Sequence, residues 1–570
     1  MNRDIQVQIV RALLERLRAD AALSQPRCTS VVSTIDLVAI ESLLEGEDAF
    51  TKTTPIDIPP QTGEKTFDTR PNQRQELVSA NPLLVDTTCL TAPYDPKYVV
   101  CVDFGTARSK AFAAEIPQEE ESPDEMARFE LGLGKRDGDR EVYSVASSVW
   151  ISDDGLMFAG SEAMRRSTES HDRTRLDSIK QQLSQTSSRV DIDRSLPPDI
   201  NPTQIKLTYA DAICFYLAFL TDLVGRELSE LKPKVLSRYT RRRFTIPAWK
   251  DDQRQWAHSE LKKLITRAQI LADTFCSRWS DGIPVSEVKE AISQAAQYDP
   301  QLSRLLDPSM EESALGISEP MAAGAGRIRI DSSIKNLILI VDVGAGTTDI
   351  GLFLVNFATK TAIPVEPKSG ALKRAGDHID DLLVGHIISK VEGHPDPQTI
   401  ARIDSALRRS GLRRDKEMLF DKGTLDVTLA TGQPVTILLH EFLESEDVIC
   451  FARNIEEKIE QFLQQVDKSF EAAAERPTML LSGGGAGLPF IKELLNRKWK
   501  IGEREVRFKA GNSIPPEIAE FDADFQKEYP QLAVAMGGAI QVIDERQPLR
   551  EYHGNASPPG QLSRYAVTGI

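Results

Sequence analysis

The chain has 570 residues, 41% of them hydrophobic, which is enough for several domains or one large bilobal body with real cores. A formal charge of −16 argues against general binding to nucleic acid or to anionic membrane surfaces, and no run of about 18 apolar residues exists to cross a bilayer. The six cysteines are scattered without a C-x-x-C pair, the seven histidines lack ligand spacing and the N-terminus has no secretory pattern, so a reducing, cytoplasmic setting is expected and a disulfide framework or zinc site is not.

Residues 1–50 read as a helical extension. Ile5, Ile9, Val10, Leu13, Leu14 and Leu17 fall on one helical face, and a second helix is expected over 34–44. This extension reads equally as an arm packed on the main body or as a docking or dimerisation element. Residues 51–96 form a linker rich in proline, among them Pro55, Pro59, Pro60, Pro71 and Pro82. The stretch YVVCVDFGTARSKAFAAEI then begins at Tyr98. It reads as an apolar strand ending in Asp103, a turn through Gly105, Thr106 and Ala107, and a second strand. After a charged connection, the segment DSIKQQL carries Lys180. A strand at 244–246 leads into Pro247-Ala248-Trp249 and a helix start at Asp251-Asp252-Gln253-Arg254. Residues 276–315 read as an insert with one helical stretch, VSEVKEAISQAA, either a surface decoration or a partner-binding element. In ISEPMAAGAGRI, Glu319 and Pro320 open a helix whose small residues suit a close crossing between two lobes.

The central stretch is LILIVDVGAGTTDIGLFLV, residues 337–355. Two apolar runs flank a tip containing Asp342, Gly344, Ala345, Gly346, Thr347 and Asp349, the same layout as the first hairpin. Glycines let backbone N–H groups approach an anion, and hydroxyls add hydrogen bonds. Carboxylates repel phosphate unless a cation lies between them, so the combination predicts a magnesium–nucleotide. Further on come Gly376-Asp377-His378-Ile379-Asp380, the segment GLRRDKEMLFDKG with Lys416, strands at 425–429 and 435–439, and a long helix over 447–474. The strand TMLLS runs into Gly483-Gly484-Gly485, a triple glycine best explained by close approach of a ligand or of backbone. A helical stretch AVAMGGAIQ follows at 533–541, and 546–570 form a polar tail.

Two such hairpins in separate halves of one chain resemble the phosphate-binding hairpins of the actin, sugar-kinase and heat-shock-chaperone ATPase superfamily. The Pro-Ala…Gln-Arg segment at 247–254 and the Glu-Pro-x-Ala-Ala segment at 319–323 resemble its heat-shock (DnaK-type) branch, although that branch's C-terminal peptide-binding domain is not expected here. The resemblance implies an α/β, bilobal actin-like ATPase fold, with two ribonuclease-H-like subdomains around a nucleotide cleft, lobe I at 97–334 and lobe II at 335–545. It implies that ATP or ADP binds with Mg²⁺, and that Asp103, Asp342 and Asp349 hold the metal through water. Gly105, Thr106, Ala107, Gly344, Ala345, Gly346 and Thr347 would cradle the phosphates. Lys180 and Glu319 would position the attacking water beside Asp342 and Asp349. Gly376, Lys416, Gly483, Gly484 and Gly485 would line the nucleotide. Three positions depart from the heat-shock pattern at the nucleoside: Arg413 replaces a glutamate, Phe420 a serine and Gly487 an arginine.

The expected function is a weakly ATP-hydrolysing, heat-shock-type switch acting on an unidentified protein partner through 1–50 or 276–315, with no nucleic acid or membrane partner. The alternatives are an actin-like filament-forming ATPase or a nucleotide-binding pseudo-ATPase scaffold. A small-molecule kinase is a further class, set apart by ATP consumption that a metabolite stimulates.

Overall fold

A computed structural model describes residues 83–116, 127–138, 143–170, 174–185, 192–231, 236–246, 251–299, 306, 317–330, 337–356, 361–365, 370–393, 395–466, 476–511, 514 and 516–540, all within the unit Glu76–Ile570. The N-terminal helices, most of the linker, Pro247-Ala248-Trp249, much of 300–316 and the tail lie outside the described residues.

The first sheet contains β1 (Tyr98–Asp103), β2 (Arg108–Glu115), β3 (Arg128–Glu130) and β4 (Ser144–Ala146). A smaller sheet joins β5 (Val149–Ile151), β6 (Leu156–Ala159) and, later in the chain, β8 (Ile283–Pro284). Strands β7 (Arg241–Ile246) and β9 (Ile317–Ser318) complete the first sheet, whose order is β3-β2-β1-β7-β9 with β4 beside β2. The second sheet contains β10 (Leu337–Val343), β11 (Thr348–Asn356), β12 (Thr361–Pro364) and β13 (Gly370–Leu372). Hairpin β14 (Thr424–Thr428) and β15 (Pro434–Leu438) stands apart. Strand β16 (Thr478–Ser482) follows, then hairpin β17 (Lys498–Ile501) and β18 (Arg504–Arg507), and β19 (Lys509–Ala510). The second sheet's order is β12-β11-β10-β16-β19 with β13 beside β11. The two main sheets therefore repeat one plan: an antiparallel hairpin, a parallel neighbour after a long connection, and a short outer strand. Parallel strands buried on both faces need continuous apolar runs, and all seven residues of β10 are buried.

Helices α1 (Tyr209–Glu230) and α2 (Asp251–Thr274) pack in the first lobe. Thr208 and Asp211 close a capping box at the start of α1, which satisfies N–H groups the helix cannot use itself. Helix α3 (Val285–Ala295) falls in the expected insert. Val285, Val288, Ala291, Ile292 and Ala295 are buried in the first lobe's core, so this stretch of the insert is structural on its apolar face. Helix α4 (Glu319–Ile330) follows. The second lobe holds α5 (Gly376–Ser389), α6 (Leu412–Lys422) and α7 (Glu446–Gln465).

Helix α8 (Ala523–Ala539) lies on the first sheet: Phe525, Tyr529, Leu532, Ala535 and Met536 share a core with Cys101, Phe112 and Tyr143. Asp522 caps α8 by accepting from the Phe525 N–H at 2.7 Å, and the Tyr143 hydroxyl donates to its other oxygen. Close approach requires glycine here, because a Cβ at Gly538 would stand 2.4 Å from the Cys101 Sγ. Between the sheets Met321, Ala322 and Ala323 of α4 pack with Val534 of α8 and with Ile338, Ile340 and Phe353. The small residues of α4 thus permit the helix crossing expected from them. Cys89, Cys101 and Cys214 are buried, whereas Cys450 is exposed. No helix among the described residues is long and apolar enough to cross a membrane.

Candidate functional site

The site begins at the two hairpin tips, because each hairpin ends in a carboxylate facing the space between lobes. In the first, Asp103 lies opposite Lys110 across β1 and β2. The Lys110 ammonium is 3.3 Å from Asp103 Oδ2, and the Thr245 hydroxyl donates to Asp103 Oδ1 at 3.0 Å. In the second hairpin the same register sets Asp342 opposite Asp349. Like charges directly opposed on a sheet destabilise it. Both carboxylates are buried, and each keeps one buried oxygen with no hydrogen-bond partner. Burial, then Glu319 and Asp103 nearby, push Asp342 up to about 7. Burial, Glu319 and Asp342 raise Asp349, although the Thr347 hydroxyl donates to it at 2.7 Å. One hairpin thus neutralises its carboxylate with a lysine, and the other holds two carboxylates in want of a cation.

The turns are shaped by backbone. A Cβ at Gly105 would stand 2.0 Å from the Arg108 carbonyl oxygen, so the first turn closes only around glycine. The start of α5 is tied to the second turn: the Gly376 N–H donates to Gly344 O at 3.1 Å and the Asp377 N–H to Ala345 O at 2.8 Å. Lys416 on α6 donates to Gly376 O at 2.9 Å and pairs with Asp380 at 2.8 Å. After β16, Gly483 adopts φ +82°, and a Cβ there would meet Val343 O at 2.4 Å. Its N–H donates to Pro530 O at 3.0 Å, which ties the glycine turn to α8. The helix expected after that turn is short, Pro489–Glu493.

Lys180 is buried, and its ammonium donates to Glu319. Burial opposes its charge, but Glu319 and Asp103 hold its pKa above the ordinary lysine value.

These parts surround a cavity of about 670 Å³. It brings together Asp103, Gly105, Thr106 and Ala107 from the first tip with Asp342, Gly344, Ala345 and Thr347 from the second. Glu319, Gly376, Lys416, Gly483, Gly484 and Gly485 complete the expected wall. Lys180, Asp349 and Gly346 stand outside it: Lys180 behind Glu319, Asp349 behind Thr347, and Gly346 against Thr106 and Gln181. Several wall residues escaped sequence reasoning. Lys110 was legible only through the hairpin register. Glu417 adjoins the expected Lys416, in a wall that Arg413 and Phe420, already marked as nucleoside positions, also reach. Lys527 and Gln531, one turn apart, lie on a part of α8 earlier than the motif at 533–541. Among the described residues no group of three His, Cys, Asp or Glu side chains is placed to ligate a metal directly. The unpartnered oxygens of Asp342 and Asp349 fit a cation held through water.

The sequence model of the MreB/Mbl protein family matches residues 311–506. Two proteins named actin-like protein MamK, from Magnetospirillum gryphiswaldense and Paramagnetospirillum magneticum, are each 29% identical, over 179 and 193 residues; the matches cover 30% and 32% of this chain and 43% and 48% of those proteins. A chaperone protein HscA homologue from a Shewanella species is 28% identical over 182 residues, 31% of this chain and 27% of that protein. The chain thus spans less than half the length of these curated relatives. The fold is the bilobal actin-like one. The heat-shock assignment, and the chaperone role expected with it, is overturned by the MreB/Mbl and MamK matches. That assignment rested on the segments at 247–254 and 319–323, and the second is accounted for by packing, since Met321, Ala322 and Ala323 fill the space between the sheets. The nucleoside positions discriminate better, and there Arg413, Phe420 and Gly487 already departed from the heat-shock pattern.

Proposed function

We propose that this chain is a cytoplasmic, actin-like ATPase that binds Mg-ATP in the interlobe cleft and assembles with copies of itself into filaments. The observation that carries the nucleotide reading is the convergence of two glycine turns on one cavity, beside two opposed buried carboxylates each with an oxygen that no protein group hydrogen-bonds. The matches to the MreB/Mbl family and to proteins named actin-like favour self-assembly. The domain plan goes with this reading: lobe I over 97–334, lobe II over 335–545, and the extension 1–50 and the polar face of the insert 276–315 as surfaces for other proteins.

Each residue has a definite task. Backbone N–H groups around Gly105, Thr106, Ala107, Gly344, Ala345, Gly346 and Thr347 orient the phosphates. Asp103, Asp342 and Asp349 would hold Mg²⁺ through water, and the ion would neutralise charge on the phosphate oxygens. Lys110 adds a positive charge at the first turn. Glu319, held by Lys180, orients a water toward the terminal phosphate. Gly483, Gly484 and Gly485 let the nucleoside lie against backbone, near Phe420 and Lys416. Hydrolysis by positioning and charge stabilisation needs no covalent step on the protein.

Nucleotide titration by calorimetry and single-turnover hydrolysis, on the wild type and Glu319→Gln, test the cleft. Tight binding by both with hydrolysis only by the wild type is expected. Absence of binding by the folded wild type overturns the reading.

A further inference from the structure

Beside the phosphate turns the two lobes meet along a seam where several contacts converge on a single carboxylate. Asp377 belongs to the second lobe. Its Oδ2 accepts from the Ser178 hydroxyl at 2.8 Å and from Gln181 Nε2 at 2.9 Å, both in the first lobe. Its Oδ1 accepts from Arg413 Nη2 at 3.2 Å, and Arg413 Nη1 reaches back across the cleft to Ala107 O at 3.3 Å. Ser178 adopts φ +52°, a left-handed conformation that a non-glycine residue seldom takes without surrounding structure to hold it. Gly346 stands at the same seam, where a Cβ would lie 3.0 Å from Gln181 Nε2 and 3.1 Å from Thr106 Cγ2. The seam therefore runs over both phosphate turns, through Thr106 and Ala107 on one side and Gly346 on the other.

We propose that Asp377, with Arg413, Ser178 and Gln181, is a clasp across the cleft whose strength sets the rate at which nucleotide leaves. This rests on the reading of the cleft as a nucleotide site. A ligand whose phosphates lie between the two turns departs only after the lobes separate there, and separation breaks the Ser178, Gln181 and Ala107 contacts together. Arg413 is a positioning residue: it fixes the Asp377 carboxylate toward the first lobe and adds its own tie to the first phosphate turn. Hydrogen bonds to a charged group are the stronger kind, so removing two of them from a partly exposed seam corresponds to release about tenfold faster.

The test uses the full chain at concentrations below assembly, loaded with Mg²⁺ and N-methylanthraniloyl-ADP and chased with excess ADP. The variants are Ser178→Ala/Gln181→Ala on one lobe and Asp377→Ala on the other, with thermal unfolding as a check on each. Release about tenfold faster in both, with association within twofold of wild type and no further gain when they are combined, is the expected result. If Asp377→Ala does not fold, the first-lobe pair decides the matter. Labelled nucleotide that binds the wild type but leaves the Ser178→Ala/Gln181→Ala variant at the wild-type rate overturns the clasp alone. A folded wild type that binds no labelled nucleotide overturns the cleft reading and the clasp with it.

Discussion

Replacing Asp342 by Asn should stabilise the nucleotide-free protein at neutral pH while impairing its use of Mg-ATP. Asp342 is buried, faces Asp349 across the hairpin and keeps an oxygen without a partner. Its pKa is pushed from an ordinary 3.8 up to about 7 by burial and by Glu319 and Asp103. The sign follows from proton uptake. Between these values the native state holds a proton that the unfolded chain has released, so stability falls as pH rises. The contribution is complete below the unfolded-state pKa and lost as pH passes the folded value. A shift of about three units corresponds to at most ~4 kcal/mol, and water entering the cleft reduces this to about 1–3 kcal/mol. The assay is urea unfolding at several pH values from 5 to 8 in EDTA. The wild type should lose stability across this range, the variant should lose less, and the two curves should separate most at pH 8. With Mg-ATP at about 100 times its Kd the wild type should regain about 2.7 kcal/mol, and the variant markedly less. Parallel curves in EDTA would refute the claim that this carboxylate is held without a counter-charge.

Other substitutions probe separate parts of the account. Gly538→Leu drives a side chain into Cys101 where α8 lies on β1, and should destabilise by about 1–3 kcal/mol in chemical denaturation. Gly105→Val would set a side chain against the Arg108 carbonyl, so calorimetry should show nucleotide affinity reduced at least tenfold in a protein that still unfolds cooperatively. Lys180→Met leaves the half-buried Glu319 near Asp342 without its ammonium partner; single-turnover hydrolysis should fall by about a hundredfold or more. Lys110→Met removes the ion pair to Asp103, and its effect on affinity should be larger for ATP than for adenosine, as competition binding would report.

The fold was legible because its plan is written twice. The runs ending in Asp103 and Asp342 are apolar enough to be central strands, and the glycines after them admit only tight turns. Hairpin register was the deeper information: it pairs Asp103 with Lys110 but Asp342 with Asp349, a contrast visible only once the strands are set side by side. The far wall was hidden for a different reason. Lys527 and Gln531 come from a helix whose faces are decided by tertiary packing, and nothing local in the sequence says that Gln531 borders a cavity while Leu532 is core. Branch assignment failed because it rested on the segments at 247–254 and 319–323, and the small residues of the second serve packing between the sheets; Arg413, Phe420 and Gly487 carried the distinguishing signal. Arg413 proved to reach across the cleft to Ala107, a role that spacing alone does not reveal.

The central claim, nucleotide-dependent self-assembly by an actin-like ATPase, is tested most directly by sedimentation and light scattering of the full chain against protein concentration with Mg-ATP, Mg-ADP or EDTA. The account predicts a critical concentration with Mg-ATP, above which added protein enters the pellet, and a higher one or none with Mg-ADP. A chain that binds Mg-ATP yet stays monomeric across the whole range, with turnover per molecule independent of concentration, would contradict it.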